Sequence, residues 1–408
     1  MTRTERQNLG IDRWRDSGGR GSLVWPTGCG KTRGALAAID RVTSKNPNLI
    51  IRVIVPTKVL QDQWEEKIEE QQWDLDIRVL VLNTAAKYSF NCDFLVLDEI
   101  HKCAAEQMAK VFTNCRPKLI LGLTATYERL DGREKVILDK YCPVCDTITI
   151  QEATRNGWLS LYREYKVYLD VDLTEYNKAN KEFLQHFAFF DFDFDVAMKC
   201  ATNVFAQQKL AKQMGCDLKE VKAHAFSFIR ALKARKQFVA NHPKKLEVAK
   251  KILAARPNAK AITFNSSIAN CGKYGFGYVL HSQKSKKDNK AVLEEFAKCQ
   301  SGVLHTSKMA DEGLDVPGLS LGIMLGYSSS KTSHIQRVGR VIRFEPGKVA
   351  EFFVLVIKNT VEDNWIKKAS ENMNYIEINE AELDDVLYNS IDKPVKIQDK
   401  FTNDLLRK

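Results

Sequence analysis

A glycine-containing loop near the start of the chain lies between a predicted strand, residues 22–25, and a predicted amphipathic helix, residues 32–42. The loop reads Trp25-Pro26-Thr27-Gly28-Cys29-Gly30-Lys31-Thr32. Glycines in such a turn let successive backbone N–H groups converge on phosphate oxygens, while the Lys-Thr pair adds a positive charge and a hydroxyl. A strand, this loop and a helix in that order predict an open α/β sheet with a phosphate-binding site.

The loop departs from the general pattern G-x-x-x-x-G-K-[ST] at one position. Trp25 occupies the place of the first glycine. The residues that carry the chemistry are kept: Lys31 is predicted to face the β- and γ-phosphates and Thr32 to hold Mg²⁺. The remaining phosphate contacts are assigned to Thr27, Gly28, Cys29 and Gly30, with Cys29 interpreted as a small filler without a redox role.

Two carboxylates follow an apolar strand predicted at residues 94–97. In an open parallel sheet, ligands bind beyond the carboxyl ends of the strands, so Asp98 and Glu99 are expected to face the same phosphates. We expect Asp98 to hold Mg²⁺ and Glu99 to orient and deprotonate the attacking water. A lone Asp-Glu pair is more often a solvated turn, and its position after a phosphate loop favours the catalytic interpretation.

Short apolar runs alternate with amphipathic runs over residues 22–125 and again over residues 245–372, which predicts two α/β domains with parallel sheets. The segment between them has helical periodicity. The predicted divisions are a first domain at 1–150, a helical insertion at 151–245, a second domain at 246–372 and a tail at 373–408. The run Phe190–Asp195 alternates with period two and is interpreted as a strand or wedge, or as aromatic anchors packed on a neighbouring domain.

Composition limits the class of protein. The 408 residues are 44% hydrophobic with a net charge of +11, which excludes a disordered chain and leaves a polyanionic partner or ordinary solubility charge as explanations. No apolar run reaches the roughly 18 residues of a membrane span. The ten Cys are scattered, and Cys142 and Cys145 have no second pair for a zinc site, so reduced thiols in the cytoplasm are expected.

The motifs together resemble those of superfamily 2 helicases of the DEAD/DEAH-box type. Pro26–Thr32, Asp98-Glu99-Ile100-His101 and Thr124-Ala125-Thr126 are similar to motifs of the first motor domain of that family. Further similar segments follow in order: residues 55–60 with Gln63-Trp64, residues 264–266 and 281–282, residues 305–317, and residues 336–343. The resemblance implies two tandem RecA-like domains joined by the helical insertion, with ATP in the cleft between them.

The resemblance also implies roles for individual residues. Gln336, Arg340 and Arg343 would share one helix face, with both arginines stabilising charge on the γ-phosphate. Gln7 would bind adenine, although Arg6 stands where the family usually has an aromatic residue, and Gly313 and Asp315 would lie near the nucleotide. The residues implied to contact nucleic acid are Pro56, Thr57, Lys58, Thr84, Ser266 and Thr306. A basic series in the insertion either extends this track or is a solvated face: Lys209, Lys212, Lys222, Arg230, Lys233, Arg235 and Lys236.

Within the family, the DEIH and Thr-Ala-Thr motifs resemble phage recombination helicases, repair and transcription helicase subunits and type III restriction motors. This implies an ATP-dependent DNA helicase or translocase, acting as a monomer in replication, recombination or repair, with a phage source suggested by the compact size. Three alternatives stay open: an RNA helicase, an ATP-gated nucleic-acid clamp or sensor that does not unwind, and, remotely, a phosphate-loop enzyme without a nucleic-acid partner.

Overall fold

The structure, a computed structural model, describes residues 1–129, 132–307, 316–326, 331–369 and 374–389. Two parallel sheets organise the chain into two α/β lobes, which confirms the predicted fold class. Among the described residues, no helix combines the length and the apolar character needed to cross a bilayer. All ten cysteines are free thiols.

The first lobe is built on a sheet of six strands: β1 (Arg20–Val24), β2 (Ile51–Val55), β3 (Ile77–Val81), β4 (Phe94–Asp98), β5 (Leu119–Thr124) and β6 (Val144–Thr147). Their spatial order is β3-β2-β4-β5-β1-β6, and all pairs are parallel. The helices are α1 (Arg3–Asp16), α2 (Lys31–Thr43), α3 (Lys58–Glu69), α4 (Leu82–Ala85), α5 (Val111–Asn114), α6 (Asp139–Tyr141) and α7 (Ile150–Arg155). The loops after β1 and β4 therefore leave the same edge of the sheet.

A helical module follows strand β7 (Leu161–Leu169). Its helices are α8 (Thr174–Ala188), α9 (Phe194–Thr202), α10 (Val204–Met214) and α11 (Leu218–Asn241). Phenylalanine rings form its core: Phe183 and Phe187 of α8 lie 5.2 and 5.4 Å from the ring of Phe228 of α11. The period-two run at residues 190–195 is not a strand. Phe190 is buried within this module, and Phe194 begins α9.

The second lobe contains β7 and six later strands: β8 (Lys260–Phe264), β9 (Tyr278–Leu280), β10 (Gly302–Thr306), β11 (Leu321–Met324), β12 (Val349–Ile357) and β13 (Ile376–Asn379). Their order is β13-β7-β12-β11-β8-β10-β9, again parallel. The helices are α12 (Pro243–Ala255), α13 (Ile268–Cys271), α14 (Lys286–Lys298), α15 (Lys331–Val341), α16 (Val361–Ala369) and α17 (Glu380–Asp384).

Two of the predicted boundaries are corrected by this sheet. Strand β7 lies inside the range 151–245 that was predicted to be helical, and β13 lies inside the predicted tail. Charged residues in β7 hide its strand character in the sequence. Glu164 is buried with its Oε1 3.1 Å from His334 Nε2, and Lys166 is buried with its Nζ 2.9 Å from the centroid of the Tyr375 ring.

Candidate nucleotide cleft and nucleic-acid face

The phosphate loop passes from β1 to α2 through two glycines in the left-handed conformation. Gly28 has φ +93° and Gly30, the N-cap of α2, has φ +85°. A side chain is strained in this conformation, so glycine is required at both positions. The turn points the N-terminus of the 13-residue helix α2 at the loop, and this helix end favours an anion. Lys31 is the first residue of α2 and lies at this helix end, where its Nζ donates to the Trp25 carbonyl at 3.2 Å.

Trp25, the departure from the general pattern, is a buried anchor. Its ring packs so closely against Gly34 of α2 that a Cβ there would lie 2.8 Å from a ring atom. Its indole Nε1 donates to Asp146 Oδ2 at 2.7 Å, and Arg6 donates to the same oxygen at 2.9 Å. The Asp146 carboxylate thus connects Trp25, at the start of the loop, to Arg6 of α1. Arg6, which replaces the usual aromatic residue, serves in this network.

Two side chains of α1 hold the outer part of the loop. Gln7 Nε2 donates to the Cys29 carbonyl at 2.8 Å, and Arg3 Nη2 donates to the Gly28 carbonyl at 2.5 Å. Burial raises the pKa of the Cys29 thiol to about 11, so this thiol stays protonated at neutral pH. Sequence reasoning did not find Arg3. Its position one helical turn before Gln7 was the available signal.

The two predicted catalytic carboxylates lie at the end of β4. Trp64 Nε1 donates to Asp98 Oδ2 at 2.9 Å, and the Glu99 amide donates to Asp98 Oδ1 at 3.0 Å. Trp64, which follows the similar segment at residues 55–60, is buried and fixes Asp98. Glu99 has φ +50°, an uncommon conformation for a residue with a side chain, and such strain is concentrated at functional sites.

Glu99 is linked to the third motif through a histidine. His101 Nδ1 lies 3.3 Å from Glu99 Oε2 and 3.0 Å from the Thr124 hydroxyl, which in turn donates to the Thr126 carbonyl at 2.7 Å. All four residues lie at the carboxyl ends of the neighbouring strands β4 and β5. His101, the fourth residue of the DEIH motif, therefore orients the Glu99 carboxylate and connects it to the Thr-Ala-Thr segment.

The pKa values of the two carboxylates are shifted in opposite directions. Desolvation and then the charge of Glu99 raise the pKa of Asp98. Desolvation also acts to raise the pKa of Glu99, but Lys31 and His101 outweigh it and lower that pKa. A buried carboxylate with a raised pKa beside a second carboxylate is a place where a divalent cation gains from neutralising charge.

The second lobe contributes the other wall of the cleft. Gln336, Arg340, Arg343 and Phe344 line it, opposite the phosphate loop. The lobes touch closely, because a Cβ on Gly339 would lie 2.7 Å from Thr27 Cβ. The expectation that Arg343 shares a helix face with Gln336 and Arg340 is wrong: α15 ends at Val341. Burial lowers the pKa of Arg343, since desolvation disfavours its charged form.

The cleft has a volume of about 480 Å³, within the usual ~300–1,000 Å³ of ligand sites. Its further lining comes from both predicted and unpredicted residues: Arg3, Pro26, Thr27, Gly28, Gly30, Lys31, Thr32, Arg33, Leu60, Gln63, Lys67, Asp98 and Glu99. Thr32 and Asp98 lie on its wall and offer the hydroxyl and carboxylate oxygens that Mg²⁺ prefers, so the donor set fits this cation. A larger depression of about 680 Å³ beside α1 lacks the phosphate loop and these carboxylates. Gly313 and Asp315 lie outside the described residues.

The predicted nucleic-acid contacts follow the carboxyl ends of strands in both lobes. Pro56 and Thr57 follow β2, Thr84 lies in α4 after β3, and Ser266 follows β8. Lys58 is exposed and pairs with Asp62 at 3.2 Å. The expectation of a side-chain contact from Thr306 is not met in this conformation, because this residue is fully buried and its hydroxyl donates to the Ser307 carbonyl at 3.2 Å.

Two α/β lobes with a phosphate loop and paired carboxylates facing arginines across a cleft define a motor ATPase of two RecA-like domains. Residues 2–87 and 80–129 match the family model "Type III restriction enzyme, res subunit", and residues 244–345 match "Helicase conserved C-terminal domain". The chain belongs to the superfamily 2 helicases of the DExH type, nucleic-acid-dependent ATPases related to type III restriction motors.

Three of the similar proteins come from two archaea and an archaeal virus. The DNA 3'-5' translocase XPB2 of Sulfurisphaera tokodaii is 27% identical over 86% of this chain and 81% of its own length. A helicase of the Sulfolobus islandicus filamentous virus is 25% identical over 88% of this chain. Rad25 of Haloarcula marismortui, named as a DNA 3'-5' helicase, is 21% identical over 87%. This chain spans 64% of the length of the viral helicase and 52% of the length of Rad25.

Solved structures share the fold. The Hef helicase domain of Pyrococcus furiosus superposes with a TM-score of 0.52 at 17% identity, covering 89% of this chain and 98% of that one. S. cerevisiae Dbp5, bound to RNA and ADP BeF3, gives a TM-score of 0.59 at 13% identity, and the match covers 94% of this chain and 91% of the Dbp5 chain. At these identities the likeness supports the two-lobed architecture and nothing finer.

Proposed function

We propose that this protein is an ATP-driven DNA translocase and helicase that moves 3'-5' along one strand and remodels duplex or branched DNA. The observation that carries the proposal is the meeting of Lys31, Asp98, Glu99 and Arg343 in one cleft formed by both lobes. A ligand bound there joins the two lobes, and its hydrolysis releases them. Because one chain supplies both walls, we propose that a monomer suffices, and the ten free thiols suit the cytoplasm.

The roles in hydrolysis follow from position. Lys31 and the N-terminus of α2 bind the β- and γ-phosphates. Gln7 is buried, donates to the Cys29 carbonyl and does not line the cleft, so we assign it to holding the loop rather than to adenine. Thr32 and Asp98 would hold Mg²⁺, which would polarise the phosphate oxygens and neutralise part of their charge. Glu99 orients the attacking water and accepts its proton, while Gln336, Arg340 and Arg343 stabilise charge on the γ-phosphate from the other lobe.

The choice of DNA rests on the relatives. Two of the three named above carry DNA in their names, both with 3'-5' polarity. The DEIH and Thr-Ala-Thr motifs support the same choice through their resemblance to DNA-directed members of the superfamily. Contacts from Pro56, Thr57, Lys58 and Thr84 would go to the phosphate backbone and give affinity without sequence preference, whereas the Ser266 hydroxyl is buried in this conformation.

The insertion supplies a second charged surface. Residues 204–236 contain eight Lys and Arg against two Asp and Glu, a net charge of +6 out of +11 for the chain. On α11, residues spaced by three or four lie on one face. Six exposed residues with this spacing form what we term the basic stripe: Lys219, Lys222, Phe226, Arg230, Lys233 and Lys236.

We propose that the basic stripe binds the backbone of the same nucleic acid. The ring of Phe226 is 75% exposed between Lys222 and Arg230, where it can stack on a base. Arg230 also lies 3.9 Å from Glu182. Arg235, which the sequence grouped with this series, points inward and stacks over Phe183 with its guanidinium carbon 4.0 Å from the ring centroid.

One set of assays tests the proposal. ATP hydrolysis is measured with single-stranded, duplex, forked and four-way DNA and with RNA, and strand displacement is measured on duplexes with 3' or 5' tails. We expect DNA to stimulate hydrolysis more than RNA and 3'-tailed duplexes to be separated. Stronger stimulation by RNA supports the RNA helicase alternative. Tight ATP-dependent binding without displacement or translocation supports the clamp.

A further inference from the structure

The arginine that follows α15 is not oriented by that helix. Helix α15 ends at Val341, and Arg343 forms an antiparallel backbone bridge with Leu159. A helix directs its side chains through its repeating backbone geometry, and this constraint ends where the helix ends. The direction in which Arg343 enters the cleft is therefore set by whatever binds the backbone around it.

The segment that binds this backbone is the passage between the lobes, residues 158–160, which we term the connector. Ser160 N donates to the Ile342 carbonyl at 2.9 Å. The Ser160 hydroxyl donates to the Arg343 carbonyl at 3.0 Å and accepts from the Glu345 amide at 3.0 Å. One buried hydroxyl thus spans the chain on both sides of Phe344 and fixes the turn that carries Arg343.

The connector is also fixed to the first lobe. Trp158 N and Leu159 N both donate to the Ala153 carbonyl of α7, at 2.8 and 3.2 Å. Leu159 reaches the phosphate loop: a Cβ on Gly28 would lie 2.8 Å from Leu159 Cδ2 and 3.7 Å from Arg343 Cγ. The left-handed glycine of the loop, the connector and the arginine therefore meet at one point.

We infer that the connector is a positioning element for catalysis: through Ser160 it sets the approach of Arg343 to the γ-phosphate, and through Leu159 it couples that approach to the phosphate loop. This rests on the proposed role of Arg343 in hydrolysis. Ser160 does not line the cleft and acts through the arginine. The connector then transmits the position of one lobe to the catalytic group of the other.

The test compares Ser160→Ala with Ser22→Ala, which removes an equally buried hydroxyl that donates to the Cys142 carbonyl at 2.7 Å in the first lobe. Because small misplacements of a catalytic group are costly, Ser160→Ala should lower kcat by about ten- to a hundredfold, with KM for ATP changed about twofold or less. Affinity for ADP with aluminium fluoride, which mimics the transferring phosphoryl group, should fall by a similar factor, and affinity for ADP should not. Ser22→Ala should affect thermal unfolding as much as Ser160→Ala does, without this pattern.

A double variant separates positioning from general damage. In an Arg343→Ala background, Ser160→Ala should lower kcat no further, because the group that it positions is gone. Equal reductions in both backgrounds would overturn the inference, as would a kcat for Ser160→Ala that matches Ser22→Ala. If Arg343→Ala alone left kcat unchanged, the role of Arg343 in the proposed function would fail, and the inference would fall with it.

Discussion

The nucleotide cleft and the helical insertion are constrained in different ways. The two family models match residues 2–129 and 244–345, which include the cleft residues and leave the whole of α8–α11 unmatched. In the cleft, one hydrogen bond such as Trp64 to Asp98 fixes one catalytic oxygen. In the insertion, packed phenylalanine rings and an outward charged face are required, and many sequences satisfy both. A motif search therefore finds the first region and passes over the second.

The largest expected effect tests the cleft side of this comparison. Lys31→Ala should abolish measurable ATP hydrolysis while the protein stays folded, because it removes the positive charge at the N-terminus of α2, where we propose that the β- and γ-phosphates bind. Hydrolysis is measured with saturating DNA, and folding by circular dichroism. Lys45→Ala, an exposed residue just beyond the other end of α2, is the control. Retained turnover in Lys31→Ala would contradict the phosphate-loop assignment.

The next effect concerns the proton acceptor. Glu99→Gln should retain ATP binding and lower kcat by about 10² to 10⁴, since the amide keeps the shape of the side chain but cannot take a proton. Binding of a fluorescent ATP analogue and single-turnover hydrolysis are measured separately. Glu106→Gln, a carboxylate with 88% of its side chain exposed, is the matched control. An unchanged single-turnover rate would place the base elsewhere.

Sequence reasoning predicted the cleft residues from motif order and the sheet edge from strand order, because both depend on local chemistry. It did not assign Trp64 to the cleft and placed Arg343 on a helix, since neither the hydrogen bond to Asp98 nor the bridge to Leu159 has a local signal. Strand β7 was missed for a related reason. Its Glu164 and Lys166 read as exposed until His334 and Tyr375 are seen to partner them.

A variant with an intermediate effect tests the hydrogen bond from Trp64 to Asp98, a contact in the cleft that the sequence does not indicate. Trp64→Phe removes the indole N–H that donates to Asp98 and keeps most of the buried ring. Groups that orient a metal ligand typically change metal affinity by about 10- to 100-fold, so the Mg²⁺ concentration that half-activates hydrolysis should rise by that factor. Trp73→Phe, in the loop after α3, is the control. An unchanged Mg²⁺ requirement would reduce Trp64 to a packing role.

The smallest effect concerns the insertion. Lys222→Gln with Lys233→Gln removes two charges from the basic stripe, and both side chains are exposed on α11. If both contact phosphates, DNA affinity should fall by roughly tenfold or less for each at about 0.1 M salt, and the slope of log affinity against log salt should decrease by about one for each contact. Affinity is measured by fluorescence anisotropy over a salt series.

The control for this pair is Lys45→Gln with Lys118→Gln, which makes the same change in net charge at exposed positions on the opposite edge of the first sheet, near the amino ends of β2 and β5. A general loss of charge weakens binding in both double variants, whereas a phosphate contact changes the slope only for the basic stripe. If the slope of log affinity against log salt is the same in the two double variants, the basic stripe is a solvated face that does not contact DNA. The insertion would then differ from the cleft in function as well as in constraint.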